Sequence, residues 1–202
     1  NAIYFWNPER EGYSSYINGV GNNPETTDSI VPAMQGFFIR VDAPGQTGSV
    51  TFTNAARLHE VSNHYLPVAS SFPLFRINVS GEDGTDQTTL CFREGSTSGF
   101  DPEYDAYKLF GKDGVPQVYS FADDGSILSV NAFPSVTDTE HVMIGFTAYL
   151  SGMYVLDFTG METFPACMDI LLEDLKEDVL IDCRDHTDYS FSYAPGDDPE
   201  RF

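Results

Sequence analysis

The chain has 202 residues, 41% of them hydrophobic, and carries 31 acidic against 10 basic side chains for a formal net charge of −21. That apolar fraction can build a core and argues against a disordered chain, and so negative a surface repels phosphate backbones, so nucleic acid is not expected as a partner. No apolar run approaches the ~20 residues a membrane helix requires, so membrane insertion is not expected either.

In chain order, short apolar or aromatic runs alternate with clusters of Gly, Pro, Asn and Asp, the pattern of a β-sandwich or barrel. The candidate strands are 2–6, 36–41, 49–53, 74–79, 88–93, 106–110, 117–121, 127–130, 141–148, 152–158, 168–172, 179–182 and 189–193. In Leu74-Phe75-Arg76-Ile77-Asn78-Val79 the polar residues fall two apart, which wets one face. The run Gly152 to Phe158 is apolar on both faces until Asp157, which suits a buried strand. Residues 168–180 have helical propensity, but their β-branched ending and hairpin symmetry favour strands. The expected fold is all-β, an antiparallel sandwich of Greek-key or jelly-roll type. A boundary near 63–73 separates an N-terminal β lobe with a long polar loop (1–70) from a sandwich domain (71–202), unless the two form one continuous unit.

Three cysteines allow at most one disulfide. Cys91 lies in a strand-like run and reads as a small core residue. Cys167 and Cys183 flank the apparent hairpin, equidistant from a centre at Leu175, and are either a bridge or two free thiols.

No catalytic signature stands out. The histidines, His59, His64, His141 and His186, form no metalloprotease motif. Cys183, Asp185 and His186 are adjacent, but a nucleophile and its base are set by space, not by adjacency. A glycosidase needs a carboxyl in an apolar pocket, and Glu162, near Phe164, comes closest. Most other acids sit in turn-forming steps such as Glu82-Asp83-Gly84 and Asp123-Asp124-Gly125. A non-enzymatic role is therefore expected.

Two binding chemistries are legible. Asp101, Glu103 and Asp105 occupy alternate positions of one segment, so their carboxylates can converge on calcium, the expected cofactor if there is one; Asp83 and Asp86 form a second oxygen-rich loop. The plainer alternative makes Asp101 a turn residue before Pro102 and Asp105 a cap held by backbone N–H groups. Separately, Tyr4, Trp6, Tyr13 and Tyr16, with Asn7 and Asn18, supply the aromatic rings and amides of a sugar-binding face. Sandwich strands bury aromatics just as readily, and Trp6 is expected in the core.

Six blocks, in order, resemble a known family: Ile3 to Pro8 with Tyr13 to Tyr16, Ile30 to Ile39, Gly48 to His59, Asp101 to Gly111, Leu172 to Lys176, and Gly196 to Phe202. The chain is similar to a β-rich module of Bacteroidetes surface and secreted proteins, found upstream of their type IX secretion sorting domain. The resemblance implies an extracellular or cell-surface, non-catalytic module of a larger protein, serving adhesion, recognition or spacing beside other domains of the same polypeptide. The alternative is a carbohydrate-binding module attached to a secreted hydrolase, with a polysaccharide or cell-surface glycan as partner. Asp28-Ser29-Ile30 resembles the short O-glycosylation acceptor of that phylum, with Ser29 as the modified residue. Asn78-Val79-Ser80 fits the N-glycosylation pattern but lies within a strand.

Overall fold

The structure is a computed structural model that describes residues 2–23, 30–41, 45–57, 72–135 and 140–202. It is nearly all β, with 42% strand against 3% helix. A small sheet has the order β3-β2-β1-β4, from β1 (Ile3–Asn7), β2 (Gly12–Ile17), β3 (Val20–Gly21) and β4 (Phe38–Ile39). An eight-stranded sheet is built from β5 (Leu74–Gly81), β6 (Gly84–Phe92), β7 (Ala106–Tyr107), β8 (Gln117–Phe121), β9 (Ile127–Phe133), β10 (Ile144–Thr147), β11 (Gly152–Thr159) and β14 (Asp188–Tyr193). Its order is β10-β8-β9-β6-β5-β11-β14, with β7 beside β9. A separate hairpin joins β12 (Leu171–Asp174) to β13 (Val179–Asp182).

Alternation along the strands explains how these layers stack. On β5 and β6, Phe75, Ile77, Val79 and Leu90 face an aromatic core with Phe146, Tyr154, Leu156, Phe158 and Phe191. Their neighbours Leu74 and Cys91 point the other way, into a second core with Ala2, Tyr4, Ile17 and Val20 of the small sheet. The eight-stranded sheet curls around the first core, the small sheet covers its outer face, and the β12–β13 hairpin reaches the first core through Leu172 and Cys183. The fold is thus all-β and sandwich-like, with β6 and β9 as a parallel pair within an otherwise antiparallel sheet. Both lobes share the second core. The expected boundary falls mostly on residues outside those described, which resume at Phe72.

Turn chemistry sets the hairpins where the sequence indicated. Glu82 and Asp83 connect β5 to β6, with Gly84 at φ +134°. Asp124 Oδ1 accepts the Ser126 N–H (2.9 Å) in the turn between β8 and β9, and Gly125 takes φ +82°.

Four expectations need correction. The segment 49–53 is not a strand, and 36–41 contributes only Phe38–Ile39. β2 and β3, which complete the small sheet, were not foreseen. β11 is buried on one face only, because Met153, Asp157 and Thr159 lie on outer surface that the small sheet does not cover. Finally, the β12–β13 register pairs Leu171 with Asp182 and Asp174 with Val179, so the hairpin is centred between Lys176 and Glu177. Cys183 N–H therefore donates to Ile170 O (2.9 Å), and Ile170, not Cys167, stands opposite it. Of the two readings open for this pair, the free-thiol one matches the structure: Cys167 is exposed, Cys183 buried, and all three thiols are free.

The chain's end is pinned into the fold. Phe202 exchanges backbone hydrogen bonds with Ile144 (2.7 and 3.2 Å), extending the sheet beyond β10. Arg201, fully buried, forks onto Asp174 of β12 through Nε–H to Oδ1 (2.9 Å) and Nη2–H to Oδ2 (2.6 Å). Its Nη1–H donates to Ser192 O (2.6 Å), and its guanidinium lies over the Phe191 ring at 4.7 Å. Burial raises the Asp174 carboxyl, but the Arg201 fork, the Tyr189 hydroxyl and the Lys176 N–H outweigh it and hold the group below the usual carboxylate range.

Candidate functional site

The β1–β2 hairpin builds the surface of greatest functional interest. Asn7 Oδ1 accepts the N–H groups of Glu9 (3.0 Å) and Arg10 (3.3 Å), an Asx-type turn. That turn pairs Asn7 with Gly12 and so sets Trp6 directly across from Tyr13. Directly opposed residues share one face of a sheet. The Trp6 and Tyr13 rings meet edge to face with centroids 5.1 Å apart, and Phe38 of β4 continues the row at 5.6 Å from Tyr13. Trp6 is 37% exposed and Phe38 50% exposed. The expectation that Trp6 belongs to the core is therefore wrong: it sits near the turn of its hairpin, beyond the apolar cover that buries Tyr4. Of the four aromatic candidates, Trp6 and Tyr13 come together. Tyr4 is buried, and Tyr16, opposite Ile3, faces the other side.

Behind Tyr13 lies a small polar cavity of about 10 Å³, room for one water or one hydroxyl group, with Asn7, Arg10, Asn22, Asp86, Gln87 and Gln117 in its wall. Its polar side chains are held in place. Asn22 Oδ1 accepts Ser15 N–H (2.7 Å), and its amide donates to Gln87 O (3.2 Å). Gln117 accepts Gly111 N–H (3.1 Å) and donates to Val115 O (3.2 Å). Asp86 Oδ2 accepts the Val118 N–H (2.8 Å) and the ammonium of Lys108, a buried ion pair. Such paired, hydrogen-bonded charges fix a site rigidly. The opening sequence Asn7-Pro8, an Asx-turn start before Gly12-Tyr13-Ser14-Ser15-Tyr16-Ile17, was the available signal for this hairpin.

The carboxylate segment follows the turn-and-cap geometry. Asp101 Oδ1 accepts Glu103 N–H (2.9 Å), and Asp101 O accepts Tyr104 and Asp105 N–H (3.0 and 2.8 Å). Asp105, buried, takes Asp101 N–H on Oδ2 (2.6 Å) and Ala132 N–H on Oδ1 (2.7 Å), tying the turn to β9. Glu103 points into solvent. Burial pushes the Asp105 carboxyl up to about 7, with the two N–H donors pulling down and the Asp101 and Asp124 charges pushing further up. Among the described residues, no group of three or more His, Cys, Asp or Glu side chains is placed to hold a metal ion. Beside Asp105 is a second cavity of about 20 Å³, lined by Tyr4, Arg40, Phe100, Pro102 and Tyr107. The Arg40 guanidinium lies 3.4 Å from the Tyr107 ring, which also stacks on Phe100 at 4.1 Å.

The catalytic candidates do not assemble. Cys183 is buried and its thiol is pushed up to about 12 by that burial, while His186 is exposed and its N–H donates to Asp182 O (3.0 Å) in a turn. Glu162 is exposed in a short 3-10 turn rather than set in an apolar pocket. His141 is exposed. His59, His64 and Ser29 lie outside the described residues. Asn78 is half-buried on β5.

One family model matches residues 2–202, both sheets and the hairpin together. The chain belongs to the family described as Domain of unknown function (DUF8693). No curated protein and no solved structure matches it. The DUF8693 match carries no activity with it, so the functional reading rests on the Trp6 face and its polar surroundings.

Proposed function

We propose that the chain is a non-catalytic recognition module of a secreted or cell-surface protein, and that it binds a polysaccharide or cell-surface glycan through the Trp6–Tyr13–Phe38 row. The observation that carries this reading is the exposure of Trp6 on a shared patch with Tyr13. An indole near a β-hairpin turn offers a flat apolar surface to a pyranose ring, and the half-buried amide of Asn7 stands nearby for its hydroxyls, while buried Asn22 and Gln117 hold the wall behind. The rings meet edge to face, so the surface is stepped, which suits a single soluble chain better than a flat crystalline face. The net charge of −21 favours neutral over anionic glycans. Resemblance to secreted modules of larger proteins supports the extracellular setting and the role of neighbouring domains as further partners.

Affinity electrophoresis through gels cast with neutral polysaccharides tests the proposal. The wild-type chain is retarded by at least one of them, and Trp6→Ala loses that retardation while losing less stability than the roughly 3–5 kcal/mol of a fully buried aromatic side chain. A Trp6→Ala protein retarded as strongly as wild type rules out this face.

A further inference from the structure

The far side of the large sheet presents a second surface, unrelated to the Trp6 face. The β12–β13 hairpin is two-stranded, and among the described residues no third strand pairs with either edge. Its inner face is anchored by buried Leu172 and Asp174. Its outer face is a checkerboard: Leu171 stands opposite Asp182, and Glu173 opposite Leu180. The two leucines are 52% and 64% exposed, and Leu175 and Val179 at the turn are exposed beside them.

Charge decides which partner fits. Residues 169–188 hold eight acidic and two basic side chains. Neither base neutralises the checkerboard: Lys176 pairs with Asp197 (2.7 Å), and Arg184 donates to the carbonyls of Met168 and Pro165 (both 2.9 Å). A second copy brings the same negative charge, and anionic lipid or nucleic acid is repelled. Exposed leucines framed by carboxylates complement apolar groups framed by cations.

The geometry points to this hairpin as a docking surface for an extended, cationic, amphipathic segment of a partner protein. In an extended segment one face is made by every second residue. The matching face therefore alternates an apolar residue with Lys or Arg, so that leucine meets leucine and cation meets carboxylate. Alignment along a two-stranded hairpin also offers the segment backbone hydrogen bonds.

The probe is a short labelled peptide repeating Leu-Thr-Lys-Thr, with a Leu-Thr-Glu-Thr repeat as control, titrated with the full chain by fluorescence anisotropy at low and high salt. The Lys peptide binds and weakens with salt, and the Glu peptide does not bind. The double variant Leu171→Ser/Leu180→Ser weakens binding by about tenfold or more, and Glu173→Lys/Asp182→Lys abolishes it. Trp6→Ala leaves it unchanged, which separates this surface from the glycan-binding proposal. Leu171, Glu173 and Leu180 are exposed, so their substitution leaves the melting temperature close to wild type, while Asp182→Lys also removes the Asp182 Oδ1 hydrogen bond to the Arg184 N–H (2.9 Å), worth about 1 kcal/mol, and both double variants are checked for a cooperative melt. Amide shift mapping locates the peptide on residues 171–182. Absence of binding by the Lys peptide, equal binding by wild type and the leucine variant, or shifts confined to another acidic face overturns the proposal.

Discussion

Removing the Arg201 side chain tests how the fold is closed. Asp174 has no solvent exposure, and Arg201, itself buried, pairs with it through two charge-assisted hydrogen bonds of 2.9 and 2.6 Å. Among the described residues, Arg201→Met leaves that carboxylate buried with the Tyr189 hydroxyl and the backbone N–H groups of Lys176 and Glu177 as its donors. Breaking a buried pair from one side costs about 3–5 kcal/mol. The three remaining donors place the expected loss toward the lower figure, roughly 3 kcal/mol, or about 6–12 °C of melting temperature for a chain of this size. Urea denaturation at neutral pH measures it. The double variant Arg201→Met/Asp174→Leu recovers part of the loss, because no orphan charge remains. The pH dependence has a definite sign. Asp174 is held below its ordinary range in the folded state, so its stabilisation is present above about pH 4 and disappears as the pH falls through the folded-state value. In Arg201→Met the buried carboxyl favours its neutral form, so the gap to wild type narrows on acidification. A loss under about 1 kcal/mol, the size of an exposed pair, or a gap that does not change with pH, refutes the reasoning.

Two further outcomes follow from the thiols and the carboxylates. A thiol reagent modifies Cys167 in the native protein, while Cys91 and Cys183, buried and with thiols pushed up to about 12, react only on unfolding; three fast-reacting thiols, or none, contradict the hairpin register. If Asp101, Glu103 and Asp105 hold calcium, a chelator lowers the melting temperature by mass action. With both Asp105 oxygens engaged by backbone N–H groups, identical curves in chelator and in excess calcium are expected, and an upward shift with calcium that Asp105→Ala abolishes would restore the metal reading.

The sequence made the β class legible because apolar alternation and Asp-Gly turn steps are local signals. β8 and β13 begin and end as expected, and the Glu82-Asp83 turn forms as read. What escaped depends on distant partners. Gly12-Tyr13-Ser14-Ser15 is too polar to stand out as a strand, yet Ser14 and Ser15 are buried, and Ser15 Oγ meets Ser129 Oγ at 2.8 Å. β11 reads as buried on both sides, but whether its second face is covered depends on where the small sheet lands. A shift of hairpin centre by one to two residues was enough to separate Cys167 from Cys183. The aromatic site was half legible: Trp6 and Tyr13 were chosen for the right chemistry, but Phe38 reaches them only through β1–β4 pairing, and Asp86 and Gln117 come from the other sheet.

Trp6, the residue proposed to meet the glycan, is the chain's single tryptophan, so its fluorescence reports on the site without a second indole. Titration with the neutral polysaccharide that retards the protein, read as Trp6 emission and acrylamide quenching, is the most direct measurement. The expected result is a saturable shift of the emission to shorter wavelength and protection from acrylamide, both lost when Tyr13→Ala removes the neighbouring ring. Binding with unchanged Trp6 emission and unchanged quenching would place the glycan elsewhere and rule out recognition through the Trp6 face.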